Sequence, residues 1–325
     1  MTLASGIGSW PGTDPRSAIG AVRDLLLDGI PYLPELPARG PGAEMIGRAA
    51  GLLIDLHVDR QPAGWRFVDR PGRDAARTAA YLREDLDELA EAYDGWTGPL
   101  KVQVTGPWTL AASVELTRGE RSVSDPGARR EIAASLAEGA RAHLARVQAL
   151  VPGAQLVLQV DEPALPAVLA GTLPTQSGYG RLRSVDRAEV SSGLEEVLAA
   201  AGERPTVVHC CHPEAPVALI VGTGTSAVSL DLGYLGTSAW DQVAAAVEGG
   251  TTLWAGAVPT TGESAADWRA VQDAVLRPWR EVGLPDADLA RVVVTPSCGL
   301  AGLPPSLAIA RQRTAVEAAR ALTDL

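Results

Sequence analysis

Short apolar runs recur along the chain, each followed by a longer stretch in which apolar residues return every three to four positions. The first pattern is that of buried strands, the second that of amphipathic helices packed on one face. Strands are predicted over residues 3–9, 30–35, 100–105, 155–160, 206–210, 227–231, 251–255 and 291–295, with clear helical periodicity over 74–93 and 125–150. Asp14-Pro15, Asp125-Pro126 and Pro213-Glu214 read as helix starts, and Gly29 as the stop of the first helix. Eight strands alternating with helices predict an α/β fold with a parallel sheet, a (β/α)8 TIM barrel in a single domain over residues 1–325. A doubly wound open sheet is the runner-up. Residues 61–72 read as a loop insertion, and Gly222-Thr223-Gly224 as a turn rather than a phosphate loop.

Composition narrows the partners. A chain of 325 residues can bury a large core, and no Pro/Gly/Ser-rich stretch divides it. A net charge of −11 excludes nucleic acid and anionic membrane as partners and points to a small substrate. Met1-Thr2-Leu3-Ala4-Ser5-Gly6 lacks the basic and apolar regions of a signal peptide, and no apolar run approaches a membrane span. The expected location is cytoplasmic, where three cysteines without paired spacing stay reduced.

Candidate chemistry lies at the predicted strand ends. His209 and Cys211 end one apolar run and Cys298 ends another; two thiolates and an imidazole are donors that Zn²⁺ selects, leaving a fourth position for an exchangeable group. The competing reading makes the cysteines small buried hydrophobes and His209 a core histidine. Gly8-Ser9, Glu35, Thr105-Gly106-Pro107, Asp161-Glu162 and Asp231 also fall at or just after carboxyl ends, the face where a barrel concentrates its chemistry. Any one acid there also reads as a helix cap. Together, Glu35 and Asp161 suit an ammonium group and the backbone N–H groups near Ser9 a carboxylate, which describes an amino-acid site beside a metal.

Six motifs follow one another in register: Ile7-Gly8-Ser9-Trp10-Pro11, Val104-Thr105-Gly106-Pro107, Gln159-Val160-Asp161-Glu162-Pro163-Ala164-Leu165, His209-Cys210-Cys211, Ser229-Leu230-Asp231 and Pro296-Ser297-Cys298-Gly299-Leu300. In them the chain resembles the catalytic C-terminal domain of cobalamin-independent methionine synthase over nearly its whole length. The resemblance implies a (β/α)8 barrel and a zinc-dependent S-methyltransferase that activates homocysteine as a thiolate and methylates it to methionine. It implies His209, Cys211 and Cys298 as zinc ligands, with Asp231 where the family has a glutamate ligand. It places Ser9, Glu35 and Asp161 on homocysteine, Asp161 also with a catalytic role. Glu162 is a supporting catalytic candidate that also reads as a brace for its loop, and His212 is a candidate proton carrier that also reads as a loop histidine.

The chain departs from the family on the methyl-donor side. Ser113 stands where a folate-stacking tryptophan is expected, and Gly256-Ala257-Val258-Pro259 replaces a segment that supplies a histidine. The additional N-terminal barrel of the long enzymes is absent from the sequence. Trp108 reads either as a substitute aromatic platform or as core. The donor is therefore a methylfolate or a methylated corrinoid, with a corrinoid protein as a candidate partner. Three alternatives remain open: methylation of another thiol from a corrinoid, a non-catalytic zinc-binding barrel, and a metal-dependent hydrolase with Glu162 or Asp231 as base.

Overall fold

The computed structural model describes residues 1–262, 264 and 266–325. Ten strands are present among them: β1 (Leu3–Ala4), β2 (His57–Gln61), β3 (Gly64–Val68), β4 (Pro99–Thr105), β5 (Val114–Glu115), β6 (Gln155–Asp161), β7 (Thr206–Cys210), β8 (Ala227–Asp231), β9 (Thr252–Val258) and β10 (Val292–Pro296). Seven form a parallel sheet in the order β1-β10-β9-β8-β7-β6-β4.

Residues 30–35 close this sheet into a barrel. Parallel bridges join Ser5 to Ile30 and Ser9 to Glu35 on one side, and Tyr32 to Lys101 on the other. The segment forms bridges rather than a continuous ladder because Pro31 and Pro34 have no N–H to donate. The remaining hydrogen bonds still tie both flanks: Ile30 N to Ala4 O at 2.8 Å, Glu35 N to Gly8 O at 3.1 Å and Leu33 N to Lys101 O at 3.0 Å. The eight predicted strand positions are thus all occupied.

Helices between the strands cover the outside. The helix Pro15–Leu25 is capped by Asp14, and Pro126–Leu150 by Asp125, in each case with the side chain accepting a free first-turn N–H. Two boundaries differ from the sequence expectation. The helix expected at Pro213-Glu214 begins at Val217, because residues 212–216 form a turn in which Glu214 N donates to the His212 ring at 3.0 Å. The first helix ends at Leu25 rather than beside Gly29, whose missing side chain instead lets it lie against the Ala4 carbonyl. The insertion expected at residues 61–72 begins earlier. It is an antiparallel hairpin of β2 and β3, extended by β5 into a small second sheet.

Strand alternation sorts the side chains. Leu100, Val102 and Val104 of β4, with Leu158 and Val160 of β6, join the large apolar layer between sheet and helices. A separate apolar cluster of Ile30, Val157, Val207, Ala227, Trp254 and Val293 is drawn from the first half of each strand and fills the lower barrel. No helix among the described residues is long and apolar enough to cross a membrane.

Candidate functional site

Along β6, β7 and β8 the inward positions read Val157-Gln159-Asp161, Val207-His209 and Ala227-Ser229-Asp231, so each strand turns from apolar or small to polar toward its carboxyl end. His209 lies between Asp161 and Ser229 in the ladder. Its Nδ1 is 3.0 Å from Ser229 Oγ, which fixes the ring and leaves Nε2 to face the cysteines. One ligand atom each from His209, Cys211 and Cys298 falls within 4.8 Å of the others, and the two sulfurs are 3.6 Å apart. Cys298 is held below the usual thiol range by hydrogen bonds from Cys211 and His209, while the same contact and burial push Cys211 up. The pair therefore shares one proton and reaches a dithiolate only against a cation. Cys210, on the opposite side of the strand, is fully buried in the helix-facing core, where desolvation pushes its thiol up to about 12.

Asp231 stands at the edge of this set and is not within that distance of all three ligand atoms. Its Oδ1 accepts the Gly233 N–H at 2.9 Å at the start of a short 3-10 turn. Burial raises its carboxyl above the usual range, opposed by that hydrogen bond.

The expected substrate residues gather on the same rim. Ser9 is bridged to Glu35, and Gly299, next to Cys298, packs so closely on Ser9 that a side chain there would collide with it. Glu35 and Asp161 are both at least nine-tenths buried. Desolvation pushes Glu35 up to about 7, with the Arg48 guanidinium 3.9 Å away pulling it down and Asp161 adding to the rise. Asp161 is likewise raised by desolvation and lowered by His209 and Lys101 nearby. Two buried acids that resist ionisation favour a cationic ligand.

Glu162 and His212 are not brought into this constellation. Strand alternation turns Glu162 away from Asp161, and its carboxylate is occupied by the N–H groups of Trp108 at 2.9 Å and Thr109 at 2.8 Å and by the Thr109 hydroxyl at 2.6 Å. It braces the start of the helix Pro107–Ser113, with Gly106 leaving room for it, and is not placed to act as a hydrolytic base. The ring of His212 is engaged by the Glu214 N–H in its own turn. Trp108 is core, not a platform: it is buried and its Nε1 donates to Val190 O at 2.9 Å.

Five residues of the site were given no role in the sequence reading: Arg48, Lys101 and Gln103 lay outside the six motifs, and Gln159 and Ser229 lay inside them without a part assigned. Lys101, Gln103 and Gln159 alternate with apolar neighbours inside β4 and β6. In strands covered on the outside by helices, that alternation is the signal of side chains facing a barrel interior.

A family model described as the catalytic domain of cobalamin-independent synthase matches residues 1–321. Among solved structures, a B12-independent methionine synthase from Shewanella sp. W3-18-1 in complex with selenomethionine superposes with a TM-score of 0.67 at 12% sequence identity, covering 100% of this chain and 98% of that one. No curated protein matches the chain in sequence. With a barrel matched over its full length and a His/Cys/Cys group at the carboxyl ends of its strands, the chain belongs to the cobalamin-independent synthase catalytic-domain family and is a methyltransferase of the methionine synthase type.

Proposed function

We propose that the chain binds Zn²⁺ through His209, Cys211 and Cys298 and methylates homocysteine on sulfur to give methionine, with residues 1–325 acting as one catalytic unit in the cytoplasm. The observation that supports this reading best is the convergence of three soft ligand atoms within 4.8 Å beside two buried carboxylates. Three protein donors are the number that a catalytic zinc site uses while keeping one position for an exchangeable group. Asp231, held by the Gly233 N–H, borders that position as an outer carboxylate. Ser229 fixes the His209 ring so that Nε2 is presented to the metal. When bound there, Zn²⁺ supplies the charge that removes the proton of a nearby thiol and keeps the sulfur nucleophilic at neutral pH.

The protein's own groups do the rest. Glu35 and Asp161 hold the substrate ammonium, and N–H groups of the loop at residues 7–9 hold its carboxylate, so the sulfur is directed at the metal ligands and lined up for in-line attack on a methyl group. A fixed amino-acid end converts an encounter between two reactants into a positioned one.

For the donor, a methylated corrinoid is preferred over a polyglutamylated methylfolate, and a corrinoid protein is the proposed partner. A net charge of −11 disfavours an anionic glutamate tail, Ser113 cannot stack a pterin, and Trp108 is committed to the core. Methionine formation from homocysteine, assayed in parallel with methylcobalamin and methyltetrahydrofolate, is expected to be faster with the corrinoid. A robust rate with methylfolate alone reverses the donor assignment; no methionine from either donor, with a metal-loaded protein that binds no thiol, overturns the methyltransfer reading.

A further inference from the structure

Beneath the candidate site, Lys101 is fully buried on the inner face of β4. Its ammonium donates to the Ile7 carbonyl at 2.7 Å and to Gln103 Oε1 at 3.3 Å, and stands 5.0 Å from the centre of the Tyr32 ring. Each acceptor carries the contact onward. Gln103, with its oxygen turned to the ammonium, presents its amide nitrogen to Leu33 O at 2.7 Å and to Glu35 Oε1 at 3.3 Å. The Ile7 carbonyl also accepts from Gln159 Nε2 at 2.8 Å, and the same nitrogen donates to Asp161 Oδ1 at 2.7 Å. One lysine thus anchors two short chains of hydrogen bonds, each ending on one of the two carboxylates proposed to bind ammonium. Ile7 also opens the loop proposed to bind the substrate carboxylate.

Lys101 and the Leu33 carbonyl together set the polarity of the first chain, one from each end of the Gln103 amide. A glutamine amide has one accepting and one donating end. With a cation below it, Gln103 must point its oxygen down and its nitrogen up toward Glu35. Without the cation the Gln103 oxygen loses its donor in a buried site, so only the Leu33 carbonyl still directs the amide nitrogen toward Glu35. Charge balance argues the same way, because carboxylates buried side by side need cations around them. The Arg48 guanidinium, shared with Asp85, reaches Glu35 at 3.9 Å; Lys101 faces both Glu35 and Asp161 from below, and a substrate ammonium joins them from above. Burial pulls Lys101 down to about 7, while Asp161 and Glu35 hold it up.

We propose that Lys101 is a positioning residue for the amino-acid end of the substrate: from below, without touching substrate or metal ligands, it holds Glu35, Asp161 and the loop at residues 7–9 in their binding arrangement. The proposal rests on the homocysteine reading of the site.

Calorimetry on the zinc-loaded protein with three thiols tests it: homocysteine, 4-mercaptobutyrate, which lacks the amino group, and 1-propanethiol, which lacks both polar ends. Lys101→Met is expected to lose about tenfold or more of the preference for homocysteine over 4-mercaptobutyrate, with zinc content and 1-propanethiol affinity held within about twofold. Gln103→Met, which cuts only the Glu35 branch, is expected to lose less of the same preference. An undiminished preference in Lys101→Met, or an equal loss of affinity for all three thiols, overturns the proposal. If Lys101→Met does not fold, Gln103→Met decides alone, and a full preference there overturns it. If the unsubstituted protein does not prefer homocysteine over 4-mercaptobutyrate, the amino-acid reading itself fails and the proposal falls with it.

Discussion

The lower and upper halves of the barrel interior are built from the same strands, two residues apart, and have opposite characters. Below, Val157, Val207, Ala227, Trp254 and Val293 interlock as an apolar plug. Above, on the same inward faces, stand Gln159 and Asp161, His209, Ser229 and Asp231, with Lys101 and Gln103 on the neighbouring strand. The plug is stabilised by burial and tolerates no polar atom without a partner. The upper half carries its polar groups at the cost of desolvation, seen in the raised carboxyls of Glu35 and Asp161 and the lowered ammonium of Lys101. A barrel thereby separates stability from chemistry along each strand, and substitutions in the two halves should fail in different ways.

The largest effects should come from the centres of the two halves. Trp254→Ala is expected to cost about 3–5 kcal/mol of stability, read by denaturant unfolding, because it removes the bulkiest member of the plug; zinc stoichiometry of the surviving folded protein should not change. Cys211→Ser and Cys298→Ser should do the reverse, abolishing a stoichiometry of about one zinc per chain while circular dichroism stays that of the folded barrel. Full zinc occupancy in both serine variants would falsify the ligand assignment.

Substitutions beside the proposed metal ligands should have smaller and selective effects. Asp161→Asn is expected to weaken homocysteine binding by about 1.5–3 kcal/mol in calorimetry, through loss of a buried charged hydrogen bond, and unchanged affinity would return Asp161 to a structural role. Ser229→Ala frees the His209 ring and should lower zinc affinity by about 10- to 100-fold in a chelator competition, with little change in unfolding midpoint. The smallest metal effect is expected at Cys210→Ser, where zinc content stays at the parent level and only stability falls, by about 1–3 kcal/mol, for a hydroxyl placed in the apolar layer. Equal metal loss from Cys210 and Cys211 variants would show that the inward register of β7 has been misassigned.

Much of this arrangement was legible in the sequence because the strongest patterns are local. Apolar runs ending in a polar residue located all eight barrel strands, and Asp14-Pro15 and Asp125-Pro126 marked helix starts whose caps form as expected. Strand β3 was read as loop and β2 went unread because only Val58 and Trp65 in the hairpin are well buried, too few to show a period. Glu162 looked catalytic beside Asp161, yet adjacent strand residues face opposite ways, and its partners, Trp108 and Thr109, lie more than fifty positions away in the chain. Lys101 was hidden for a different reason. Inside an apolar run a single lysine reads as an interruption, and only closure of the barrel shows that it faces Ile7, Gln103 and Tyr32.

The closing segment at residues 30–35 carries a consequence for motion. Pro31 and Pro34 leave it with fewer interstrand hydrogen bonds than the continuous ladder of β4 with β6. A seam of this kind opens by local fluctuation well before the whole molecule unfolds. Amide protons of Ile30, Leu33 and Glu35 should accordingly exchange with solvent deuterium faster than those in the middle of β6. Because Ser9 and Glu35 lie on the seam, occupancy of the rim by an amino acid would draw its two sides together, and slower exchange at these three amides would report the bound ligand without any turnover being measured.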